Sequence, residues 1–297
     1  MTVSRTPSRK RSATLLSVAP GPCLALSLWA CGITADLADA TPAQTYAERS
    51  IMRIANQRCR LFDANVTLAL SMAEAQARNA TLRAGGDNAR MREIADIAET
   101  KAASLACDDP VLTAEAGRVR AAFSAYARML RMTFPGGGAA WKADRTVLAS
   151  RVETGRWALT TSPVHADVDT RFGVVVIGGR LSLFATPLDS DASPATARLV
   201  MRDPELADRP YLSGALNPPP RNVSKVYLAA ERRTSPDGSE GFRFTDAATE
   251  ALAALDPREA IVVEFVYTSP QGERVTRTLY EVGDFAPAYG FLRLPHI

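Results

Sequence analysis

Histidine and lysine are scarce in this chain, and the shortage removes whole classes of chemistry. There are two histidines, His165 and His296, and four lysines, Lys10, Lys101, Lys142 and Lys225. Histidines so placed form no HExxH motif, and no His/Cys spacing suits zinc, so neither a metal nor a cofactor is expected. None of the lysines follows a serine by three residues, which excludes the S-x-x-K hydrolase pattern, and a G-x-S-x-G elbow is also missing. There is no Walker loop and no G-x-G-x-x-G. Gly136-Gly137-Gly138 lacks the G-K-S/T of a phosphate loop and comes after a helical stretch, so it reads as a hinge. Asp189-Ser190-Asp191-Ala192-Ser193 begins like a calcium loop. That loop needs a glycine and a glutamate where Pro194 and Val200 stand, so these read as solvated acids.

A basic surface is missing too. The formal charge of +3 is inflated by Arg5, Arg9, Lys10 and Arg11 at the start of the chain. Removing residues 1–40 takes away those four cations and the acids Asp36 and Asp39, leaving +1. Without a cationic footprint, binding to a phosphate backbone has no driving force, and no nucleic-acid partner is expected.

Beyond residue 40 no apolar run is long enough to cross a membrane, so no transmembrane span is expected in the mature chain. Residues 1–40 themselves read as an export signal. Four cations precede an apolar stretch from Thr14 to Ala35, and Ala38-Asp39-Ala40 supplies a small-x-small cleavage site. Pro20-Gly21-Pro22 interrupts the stretch, against a permanent membrane helix. The expected location is periplasmic or secreted after cleavage near Ala40. The alternative is a lipid anchor at Cys31, since Leu28-Trp29-Ala30-Cys31 resembles a lipoprotein box in which tryptophan is a bulky departure.

What is present from residue 41 onward divides in two. Ile51, Ala55, Cys59, Phe62, Val66, Leu70, Ala73, Ala77 and Ala80 recur every three or four residues, marking one continuous helical face. Gly85-Gly86-Asp87 ends that helix and caps a second, which carries Met91, Ile94, Ala98, Ala102 and Leu105. Asp108-Asp109-Pro110 opens a third, with Leu112, Ala116, Val119, Phe123, Tyr126 and Leu130 on one side and Phe134-Pro135 as its stop. Three antiparallel helices with an alanine seam are the simplest packing. A bend near residue 84 would place Cys59 and Cys107 at similar heights along a hairpin. In an oxidising compartment that pairing makes a disulfide; two buried thiols are the alternative.

After Thr146 the pattern turns to alternation and β-branched runs. Strands are expected over Arg156–Thr161, Phe172–Ile177, Arg180–Phe184, Ala197–Arg202, Val223–Glu231, Phe242–Phe244, Ala260–Thr268 and Arg274–Val282. Gly178-Gly179 is a two-residue hairpin turn, and Asp246 is expected to cap one short helix, Ala247–Leu255. The fold class is therefore α+β: an antiparallel helical bundle followed by a β-rich, sandwich-like domain with one short helix. The expected division is a signal at 1–40, a helical domain at 41–135, a hinge at 136–145 and a β-rich domain at 146–297.

Candidate catalytic groups are few. Glu264 and Glu281 lie in the last two strands and would serve as an acid–base pair if the hairpin brought them together, with His165 as a third group. Charges on a two-sided strand are the plainer reading. Alanine- and arginine-rich composition with an export signal resembles that of bacterial envelope proteins, a likeness of composition that carries no residues across. The function expected is that of an exported envelope protein, a non-catalytic binding or interaction module for an envelope protein or small ligand. A periplasmic hydrolase using dispersed carboxylates is the alternative. A structural adaptor working through an exposed strand edge or apolar face is a third form of the reading.

Overall fold

The computed structural model describes residues 40–148, 156–188, 193–214, 216–236, 238 and 240–295. Residues 1–39 of the expected signal at 1–40, Cys31 among them, and residues 189–192 and His296 lie outside the described residues.

Four helices come first, not three: α1 (Pro42–Cys59), α2 (Ala64–Arg83), α3 (Asn88–Ser104) and α4 (Pro110–Ala127). Each begins at a side chain that accepts a backbone N–H the helix itself leaves unpaired. Thr41 forms a capping box with Gln44, and Asp63, Asp87 and Asp109 cap the other three. The long helix expected through residue 80 breaks after Cys59. Arg60 takes up a left-handed conformation with φ 54°, the Asn56 side chain accepts the Phe62 N–H at 2.8 Å, and Asp63 starts α2. The apolar spacing hides this break because Phe62 and Val66 stay in phase with α1.

The break changes the geometry behind the disulfide while the bond itself is present. Helix α2 runs back along α1, with Ser50 meeting Glu74 and Asn56 meeting Thr67, and α1 also packs against α3. Cys59 ends α1, Cys107 follows α3, and the two are bonded with Cα atoms 5.4 Å apart. They meet at one end of the helical layer, not midway along a hairpin.

Strands begin earlier than expected, at β1 (Arg131–Phe134) and β2 (Trp141–Asp144), inside the stretches read as helix end and hinge. Then follow β3 (Arg156–Thr161), β4 (His165–Ala166), β5 (Thr170–Ile177), β6 (Arg180–Pro187), β7 (Thr196–Arg202), β8 (Ser224–Leu228), β9 (Glu231–Thr234) and β10 (Glu240–Arg243). Helix α5 (Asp246–Ala253), capped by Thr245 and not Asp246, leads to β11 (Ala260–Ser269) and β12 (Gly272–Glu281). A second short helix, α6 (Phe285–Leu292), closes the fold.

The strands form two antiparallel sheets. Sheet A has the order β1-β2-β3-β5-β6-β10-β9 and sheet B the order β4-β12-β11-β7-β8. Val223–Glu231, expected as one strand, is split at Ala229-Ala230, where the chain leaves sheet B for sheet A. Aromatic side chains meet between the sheets: Phe172 lies 5.0 Å from Tyr280 and Phe242 5.9 Å from Phe265, centroid to centroid. The buried Tyr280 hydroxyl donates to the Thr170 carbonyl at 3.0 Å, which satisfies its polar end.

Helices and sheets share one apolar core that runs from Met52 in α1 through Phe123 and Trp141 to Phe265 and Phe291. Polar side chains fasten the junction, Arg145 and Asp284 among them. Arg145, almost fully buried, donates to the carbonyls of Ala127 and Met129 at the end of α4 and of Leu294 and Pro295 after α6, at 2.7–2.9 Å. Asp284, which precedes α6, accepts from Arg83 at 2.7 Å and from Asn79 at 3.0 Å, both on α2. Burial pushes its carboxyl up from the ordinary value, and Arg83 pulls it back.

Candidate functional site

The outer face of sheet B carries two of the three candidate residues. Side chains on one face of a sheet recur every second residue, and strand register aligns them in rows. One row runs His165, Leu279, Val262, Val200 and Val226 across β4, β12, β11, β7 and β8. The next runs Arg277, Glu264, Arg198 and Leu228 across β12, β11, β7 and β8. An apolar row thus lies beside a charged one.

A proline-rich segment arches over both rows on its way from β7 to β8. Its start is held where the Tyr211 N–H donates to the buried Glu259 carboxylate at 3.1 Å. Glu259 also binds Arg202 at 2.6 Å and 3.0 Å. Its end is held where the Ser224 hydroxyl donates to the carbonyls of Pro219 and Pro220 at 3.0 and 2.7 Å. Pro218, Pro219 and Pro220 limit the freedom the segment loses when it is fixed there. A hollow of about 600 Å³ opens toward Val226 and Arg221, and one of about 570 Å³ opens toward His165 and Val164. Pro218, Val262 and Arg277 line both. Volumes of this order are those of ligand sites.

Glu264 sits between two cations. Arg277 Nε is 2.9 Å from one carboxylate oxygen, and Arg198 Nη1 is 3.9 Å from the other. Arg198 also reaches Glu273 at 3.3 Å. A carboxylate whose charge is already matched in this way serves to order the floor. His165 is exposed, 3.7 Å from Asp167. Strand spacing places His165 and Glu264 roughly 12 Å apart, beyond the separations at which two catalytic groups share one bond.

Glu281 is elsewhere. The hairpin pairs it with Ala260, while Glu264 pairs with Arg277, so the two acids expected to meet are separated by about 14 Å along the strands. The Glu281 side chain is buried and accepts three backbone N–H groups, from Gly137 (2.5 Å), Gly138 (2.7 Å) and Ala139 (3.2 Å). Its work is to fold the glycine loop between β1 and β2. His165 and Glu264 therefore line adjoining hollows, and Glu281 lines neither.

The residues that sequence reasoning missed are Arg198, Arg221, Arg277 and the arch itself. The glutamate interrupting the apolar run of β11 was the available signal, as was a proline triplet joining two strands. Among the described residues no group of three or more His, Cys, Asp or Glu side chains could hold a metal ion. No helix among them is long and apolar enough to cross a membrane. No family model matches the chain, and neither a curated protein nor a solved structure matches it.

Proposed function

We propose that the protein is an exported envelope protein that acts as a non-catalytic binding module, with the outer face of sheet B as its binding surface. The observation that carries this reading is the arched pair of hollows on that face, floored by valines and by a carboxylate neutralised between two guanidiniums. The surface offers shape and charge pairing, and its titratable groups do not converge as acid–base catalysis requires. Export is supported by the cationic, apolar and small-x-small pattern of residues 1–40, with cleavage near Ala40. The Cys59–Cys107 disulfide fits an oxidising compartment such as the periplasm. Anchoring at Cys31 is the alternative to a free mature chain. The hydrolase alternative draws little support, because Glu281 spends its oxygens on backbone N–H groups and Glu264 on arginines.

The test is cross-linked affinity purification from the native host's envelope fraction, read by mass spectrometry. A stoichiometric partner is the expected result. A monomeric protein with no partner, together with turnover of an ester, glycoside or peptide substrate, would overturn the reading.

A further inference from the structure

Strand β8, an edge of sheet B, lies beside the 600 Å³ hollow. The Ala229 N–H donates to the Ala197 carbonyl at 2.9 Å and the Asp203 N–H to the Val223 carbonyl at 2.8 Å. In the β7–β8 register these two pairs bracket the ladder, so residues 223, 225, 227 and 229 are the ones that exchange bonds with β7. Backbone groups of the intervening residues point the opposite way in an antiparallel pair. The N–H and C=O of Val226 and Leu228 therefore face outward, and among the described residues no strand pairs with that edge.

Those same two residues expose their side chains, Val226 by 51% and Leu228 by 60%. Unpaired backbone and apolar side chains coincide on one short segment. Proteins ordinarily blunt such edges with charge. Sheet A does so at β9, where Glu231, Arg232 and Arg233 are engaged in ion pairs. Edge strand β8 of sheet B carries one charge, Lys225, already engaged with Asp203, and keeps valine and leucine at the positions whose backbone faces outward. Val226 is also a wall of the 600 Å³ hollow, and Arg221 stands at its margin. The other cations nearby are engaged: Arg277 with Glu264, Arg198 with Glu273, and Lys225 with Asp203 at 3.9 Å. Arg221 has no ion-pair partner among the described residues.

We infer that β8 receives an extended segment of a partner protein as a sixth, antiparallel strand of sheet B. Main-chain hydrogen bonds at Val226 and Leu228 supply affinity, and alternate side chains supply specificity. The segment carries two apolar residues at alternate positions, i and i+2, which settle beside Leu228 and Val226. An aspartate or glutamate two to four residues further toward its C-terminus pairs with Arg221. This rests on the binding-module reading and gives the partner its form.

The experiment is selection of a displayed random dodecapeptide library on the purified, oxidised protein. Enrichment of peptides with two alternate apolar residues followed by an acid is expected. Arg221→Glu should weaken their binding at least tenfold, and Leu228→Asp more. N-methylation of the peptide's alternate amides should abolish it, a readout that leaves the protein's own folding untouched. Failure to enrich any peptide would overturn strand addition, as would binding indifferent to both N-methylation and Arg221→Glu. So would a dimer of the protein that Leu228→Asp dissolves, since a second copy would then occupy the edge. If peptides fail while envelope cross-linking still captures a stoichiometric partner, strand addition alone falls. If both fail, the binding-module reading falls with it.

Discussion

Arg277 on β12 stands directly opposite Glu264 on β11, its Nε 2.9 Å from the carboxylate, in the middle of the face that the proline segment arches over. Pairing across strands sets the charge pattern of the surface while leaving both groups partly in water. Ion pairs of that kind contribute little to stability. Glu264→Gln should lower stability by less than about 1 kcal/mol in urea titration, while weakening partner binding by disordering Arg277 and Arg198. A loss above about 2 kcal/mol would mean the carboxylate is a structural anchor.

Arg145 ties the end of α4 to the end of α6 through four carbonyls that its planar fork reaches at once. Lysine has a single ammonium and cannot span them. Arg145→Lys should cost about 2–4 kcal/mol, because buried carbonyls lose their donors. Since the core is shared, helical circular dichroism and the fluorescence of Trp141 and Trp157 should report one coincident transition in wild type and variant. Two separated transitions would contradict a common core.

The glycine loop held by Glu281 discriminates between neighbouring positions. A Cβ on Gly136 would lie 2.2 Å from the Ala139 carbonyl oxygen, whereas one on Gly138 would meet nothing closer than 3.7 Å. Gly136→Ala should therefore destabilise by about 1–3 kcal/mol, as overpacking does. Gly138→Ala should stay within about 0.5 kcal/mol of wild type. Equal melting temperatures for the two variants would refute the loop geometry.

Glu48, half-buried in α1, has its carboxyl pushed up from 4.5 to about 7, first by burial and then by the charge of Glu115 on α4. Between those two pH values the folded state holds more protons than the unfolded one, so stability falls as pH rises from 4.5 toward 7. Glu48→Gln removes the penalty on the charged form. Solvent screens a half-exposed group, so the gain at pH 8 should be about 1 kcal/mol, with none at pH 4. Denaturation curves at the two pH values check it; an equal effect at both would rule out the linkage.

The sheet-forming half was more legible than its boundaries. Alternation and the Gly178-Gly179 turn gave β5 and β6, and two long runs gave β11 and β12. Helix α6 was hidden because it is buried nearly all round, so no amphipathic period marks it. Strands β1 and β2 are four residues long, too short for alternation to separate them from the end of a helix. Pairing of Cys59 with Cys107 was legible from spacing and the expected oxidising compartment, although Asp63 caps an additional helix, α2, and the hairpin geometry changes with it. For the site, individual charges were visible, but which of them meet depends on register. The hairpin turn at Pro270 and Gln271 sets Glu264 against Arg277 and sends Glu281 to the glycine loop, a choice no local pattern encodes.

Site-specific photo-cross-linking in the native host tests the central claim most directly. A photoreactive residue replaces Val226 on the free edge of sheet B or, as a control, Thr133 on β1 at the edge of sheet A. One discrete adduct from position 226 and none from position 133 is the predicted result. No adduct from 226, or the same adducts from both positions, would contradict a binding surface on the outer face of sheet B.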